Sequence, residues 1–173
     1  MKRKLILITA IVLVVLLAWV LMPKTSTINV QTTAYEYAMD QKEPLAEHEI
    51  SISGQYTRRL FRENVFRGQM IISGFPETDG VSVYVQFQKP HSFGLISYQQ
   101  GGVPVWDTEL KQMVANKDFS QFIIQIFEID QEGDEIHAAW SGDTGRVLAT
   151  ASDYDAMTAL CTELGLTAPA EKE

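Results

Sequence analysis

The sequence predicts an α+β, mainly β protein: an N-terminal transmembrane helix, then one antiparallel-sheet domain with a C-terminal amphipathic helix packed on the sheet. Three observations predict it. Leu5 to Met22 is an apolar run in which Thr9 is the only polar residue. From Ile28 onward strand-like segments succeed one another, without the ten-residue helical connections that parallel βαβ units require. Only the stretch after Ser152 carries apolar residues at helical spacing.

The apolar run is eighteen residues long. At about 1.5 Å per residue such a helix spans roughly 27 Å, near the thickness of a bilayer's hydrocarbon core. Lys2, Arg3 and Lys4 precede it, and Pro23 and Lys24 close it. That excess of positive charge keeps the N-terminus in the cytoplasm and exports the remainder of the chain. Trp19, near the outer end, suits the interface. A cleaved signal peptide is the rival reading, but its apolar core is usually only about 7–15 residues long. Val20, Leu21, Met22 and Pro23 also offer no small-residue cleavage site. Residues 1–27 are therefore expected to be a basic cytoplasmic tip, a signal anchor and a short stalk. Residues 28–173 are expected to be one exported soluble domain of a single-pass protein of the cell membrane. The expected contact with the lipid bilayer runs through Leu5 to Met22.

The charges outside the anchor are lopsided. All 22 acidic residues lie there, against eleven of the 14 basic ones once Lys2, Arg3 and Lys4 are set aside, a net charge of −11. Such a body is soluble and repels anionic headgroups and nucleic acid. Nucleic-acid binding is excluded on that ground. Cys161 is the only cysteine, so no internal disulfide can form, and it reads as a buried inert thiol. No zinc-ligand spacing and no cofactor motif is present.

Taken in order, Pro23 to Thr27 reads as the stalk. In Ile28 to Met39 the alternation Thr33, Tyr35, Tyr37, Met39 suits a strand with one apolar face, a short helix being the alternative. Asp40 to Pro44 is a loop. His48 to Gly54 alternates Ile50 and Ile52 with serines and is expected to stop at the glycine, leaving the arginine-rich Gln55 to Asn64 irregular. Val65 to Gly74 resumes as strand, with Phe66, Gly68, Met70 and Ile72 on one face, and Pro76, Asp79 and Gly80 turn the chain. In Val81 to Gln88, residues Val81, Val83, Val85 and Phe87 face one way and Ser82, Tyr84, Gln86 and Gln88 the other.

Lys89 to Ser92 is a proline turn, Phe93 to Gln99 a strand closed by Gly101 and Gly102, and Val103 to Leu110 a strand that turns polar. Asn116, Lys117 and Asp118 signal a turn. Phe119 to Asp130 is apolar enough on both sides to be a central strand, and Gln131 to Asp134 is an acidic turn. Glu135 to Trp140 and Arg146 to Ala151 are expected to pair as a hairpin across Ser141 to Gly145. Ser152 caps the last helix, with Asp155 completing a capping box. Ala156, Met157, Leu160, Cys161 and Leu164 line one side, and Gly165 stops it. Thr167 to Glu173 is a polar tail.

Arg58, Arg59, Arg62 and Arg67 stand within ten residues in an otherwise acidic body. Guanidinium forks bind carboxylates and phosphates, so the four are candidates for an anion or acidic-partner site; neutralising the domain's own acids is their other use. Tyr84, Tyr98 and Trp106 are candidates for an exposed aromatic platform of the sugar-binding kind, against ordinary packing within the sheet. Around Gly133 the acids lack calcium-loop spacing. His48, His91 and His137 share no ligand spacing, and no nucleophile motif is present. The expected function is non-enzymatic binding of another envelope protein or a small ligand. The alternatives are a carbohydrate or cell-wall binding module and an envelope hydrolase.

Overall fold

The computed structural model describes residues 11–14, 19, 21–88, 93–105, 108–132, 135–142 and 144–166. Eleven strands lie among them: β1 (Lys24–Ala38), β2 (Ala46–Arg58), β3 (Asn64–Ile72), β4 (Ser82–Gln88), β5 (Phe93–Gln100), β6 (Val103–Val105), β7 (Leu110–Ala115), β8 (Phe122–Ile126), β9 (Glu128–Glu132), β10 (Glu135–Ala139) and β11 (Arg146–Ala149). One helix, α1 (Tyr154–Glu163), comes after them.

Each large strand pairs antiparallel with the next in the chain. The order runs β1, β2, β3, β4, β5, β7, β8, β11 and back to β1, so eight strands close a barrel. β6 extends the sheet from β5, and β9 and β10 form a separate hairpin between β8 and β11. The expectation of an antiparallel, mainly β domain holds. Closure is made by the end of β1, where Tyr35 to Ala38 pair with β11, while residues 24–34 of β1 pair with β2 alone.

Eight strands enclose just enough room for side chains. Here the interior is filled by Ile50, Ile52, Phe66, Met70, Val83, Val85, Met113 and Ile124, among others. Tyr56, Phe66 and Phe87 gather around Phe119, with ring centroids 5.0–5.7 Å from it. Phe119 is not part of the strand expected there. It lies in the β7–β8 turn at φ 60°, costly for a bulky residue, and is fully buried as a plug for that end of the barrel.

A second apolar cluster lies outside the wall. Tyr37, Ile123, Val147 and Ala149 present it, and Met157, Leu160 and Cys161 of α1 cover it. This explains why β8 is apolar on both faces: one faces the interior and the other the helix. It also explains β1, whose apolar row Tyr35, Tyr37, Met39 points at the helix while Ala34, Glu36 and Ala38 are buried on the other side.

Four expectations are corrected. Residues 24–27 are not a stalk, because they are already in β1 and paired with Gln55 to Arg58 of β2. β2 does not stop at Gly54. That residue crosses Gly68 of β3 so closely that a Cβ on Gly54 would lie 2.3 Å from the Arg67 carbonyl oxygen. The glycine pair permits close approach of two strands that both continue. The segment 135–140 does not pair with 146–151; it pairs with β9, while β11 lies between β8 and β1. Finally, Asp153 rather than Ser152 caps α1, its carboxylate accepting from the Ala156 N–H at 2.8 Å. Gly165 ends the helix as expected, at φ 77°, with the Leu166 N–H returning to the Cys161 carbonyl.

Of the predicted anchor, residues 5–10, 15–18 and 20 lie outside the described residues, as do the Lys89 to Ser92 turn and the tail from Thr167. Residues 11–14 are helical. Among the described residues no helix is long and apolar enough to cross a membrane.

Candidate functional site

The candidate arginines stand where β2 turns into β3. Arg58 ends β2 opposite Lys24, the first residue of β1. The loop from 59 to 63 is short because Asn64 closes it, its side-chain oxygen accepting from the Arg59 N–H at 3.0 Å. Within the loop Leu60 and Phe61 point outward, and Phe61 is 82% exposed, the most exposed of the large apolar residues described. Arg67 lies on the outer face of β3, its guanidinium carbon 5.3 Å from the centre of the Tyr84 ring across on β4.

Arg59, Phe61, Arg62, Glu63, Val65, Tyr84 and Gln88 surround a cleft of about 450 Å³. The Gln86 amide donates to the Glu63 carboxylate, holding one wall. The strands therefore bring Arg59, Arg62 and Tyr84 to one cleft, with Arg67 stacked on the same tyrosine. Arg58 turns instead toward a second hollow of about 740 Å³, shared with Asn116, Lys117, Asp118 and Glu163. Hydrogen bonds from the Ser120 hydroxyl and N–H hold the Asp118 carboxyl below its usual range. Cationic forks beside an aromatic face and an amide can bind an anion.

The aromatic platform is not assembled. Tyr98 is 1% exposed, paired with Val83 on the inward face of β5, and burial pushes its hydroxyl well above the usual tyrosine range. Tyr84 pairs with Ser97 on the outward face, so the two rings lie on opposite sides of the wall. Trp106 lies outside the described residues.

The sequence reading missed an ion cluster at the other end of the barrel. Glu36, buried among the inward residues of β1, accepts from Arg146 of β11 at 2.8 Å and lies 3.2 Å from the His48 Nε2. The His48 Nδ1 is 2.5 Å from the Ser73 carbonyl oxygen, and Arg146 also reaches Glu109 at 3.4 Å. One signal was available: Glu36 falls between Ala34 and Ala38, where the two-residue period puts an acid on an inward row. With each charge paired, the cluster reads as an electrostatic plug. Among the described residues no group of three or more His, Cys, Asp or Glu side chains is placed to hold a metal ion.

The strand register sorts the charges between the two ends. Near the start of β1 stand Lys24, Arg58, Arg59, Arg62 and Lys117, against Glu63, Asp118 and Glu163. Around the β1–β2 turn and the β3–β4 connection at the opposite end are Asp40, Glu43, Glu47, Glu77 and Asp79, with Glu36 and Glu109 of the ion cluster, against Lys42 and Arg146. A net charge of −11 thus conceals a basic end. No family model matches the chain, and neither the curated proteins nor the solved structures include a match.

Proposed function

We propose that the chain is a single-pass, membrane-tethered β-barrel whose body stands on the non-cytoplasmic side of the cell envelope and binds an anionic partner without catalysing a reaction. The observation that carries this reading is the arginine cleft at the β2–β3 loop, set at the basic end of an otherwise acidic barrel. Planar guanidinium groups beside a tyrosine face suit carboxylates and phosphates. The tether rests on the apolar run and its flanking charges. It is supported by the exposure of Ile11, Val12, Leu13, Val14, Trp19 and Met22, each at least half exposed and outside both core clusters. A barrel that packs its own interior and outer cluster has no use for those side chains in water.

Retention on a polyanionic matrix tests the binding end. The detergent-solubilised full chain, with a formal charge of −8, should still be retained at low salt and released as salt rises, because exposed charges are screened beyond a Debye length of about 8 Å at physiological ionic strength. Arg59→Gln with Arg62→Gln should abolish retention while leaving the unfolding midpoint unchanged. Retention that survives the double substitution removes the cleft from consideration.

A further inference from the structure

We infer that the β2–β3 loop docks onto the anionic lipid surface of the same bilayer that holds the anchor, with Leu60 and Phe61 entering the headgroup layer and the flanking arginines pairing with lipid phosphates. This rests on the tethered-barrel reading and names the partner of its cleft. Three observations lead to it.

The first is distance along the chain. The apolar run ends at Met22 and β1 begins at Lys24, so one residue, Pro23, separates the predicted span from the barrel wall. With no stalk, the end of the barrel where β1 starts must lie at the membrane surface. The Lys24 ammonium already stands over the Trp19 ring, 5.4 Å from its centre, a pairing suited to the interface.

The second is register. Lys24 lies directly opposite Arg58, so the loop that leaves Arg58 is at the level where the chain leaves the bilayer. The third is chemistry. Leu60 and Phe61 are 53% and 82% exposed, adjacent, and bracketed by Arg58, Arg59 and Arg62. Apolar tips ringed by basic residues are the composition of a surface that binds the membrane interface. The acids clustered at the far end would be repelled by an anionic bilayer and so favour the same pose. An acidic protein would use the arginines equally well, but it gives no reason for Phe61 to face water beside the tether.

The test uses the full chain reconstituted into vesicles, with a fluorophore attached through Gln88→Cys at the rim of the cleft or through Lys42→Cys at the opposite end. The native Cys161 is 2% exposed and does not compete for label. With phosphatidylglycerol in the vesicles, quenchers carried on the lipid chains should quench the Gln88 label and spare the Lys42 label. That quenching should be lost in pure phosphatidylcholine, and lost in Leu60→Ser with Phe61→Ser or Arg59→Gln with Arg62→Gln. Chain that floats with the vesicles yet leaves the Gln88 label as unquenched as the Lys42 label overturns the docking and spares the tether. Quenching that persists in both double variants also overturns it, since the tether alone would then suffice. Chain that does not float with the vesicles overturns the tether, and the docking with it.

Discussion

Glu36 is the residue on which the sheet's inner polar contacts converge. Removing one partner of a buried ion pair leaves the other uncompensated, which typically costs about 3–5 kcal/mol. Arg146 is 38% exposed along its side chain, so Arg146→Leu should cost about 3 kcal/mol, the low end of that range, read from the denaturation midpoint. Glu36→Leu combined with Arg146→Leu should recover much of the loss, because the stranded charge is gone. Cys161 gives a pH-dependent counterpart. Burial raises its thiol from 9.0 to about 11, so the folded state prefers the protonated form. Its contribution is complete below the unfolded value and is lost as pH rises through the folded one. The thermal midpoint of the native chain should therefore fall more steeply between those two values than that of Cys161→Ala. Such residues were only half legible in the sequence. The buried thiol could be read from its apolar neighbours, whereas Glu36 looked like any strand acid until Arg146, 110 positions away, came beside it.

At the scale of elements, strands and helix were legible wherever local periodicity decides them. β4 alternates as its residues predict, and α1 buries Met157, Leu160 and Cys161 as their spacing requires. Pairing was less legible because partners are chosen by the whole sheet. The 135–140 segment folds back on β9, which leaves β11 to close the barrel. Gly54 misled for a related reason: a glycine that ends a strand and one that lets two strands cross look identical in one chain. The helix has the clearest energetic consequence. Leu160→Ala should cost about 2–5 kcal/mol by opening a cavity against Val147 and Ile123. A chain ending at Ala151 should lose far more, since Tyr37, Ile123 and Val147 would then face water. Unchanged stability in either variant would show that α1 lies on the barrel without holding it.

Across the whole molecule, the sheet class was legible in the succession of strand segments, but closure was not. Whether β1 meets the last strand depends on the sheet's total twist and stagger, which no single segment encodes. Net charge was the least informative global number. It implied repulsion from anionic surfaces, while the register gathers Lys24, Arg58, Arg59 and Arg62 at one end and Asp40, Glu43, Glu47 and Asp79 at the other. The proposed orientation would put the basic end on the bilayer, the acidic end away from it and the body outside the cytoplasm. The most direct measurement is labelling of Lys42→Cys, exposed at the acidic end, with a membrane-impermeant maleimide on intact cells carrying the full chain. The variant should be labelled without permeabilisation, and the unsubstituted chain should stay unlabelled because Cys161 is buried. Labelling that appears only after the membrane is opened would place the barrel in the cytoplasm and contradict the account.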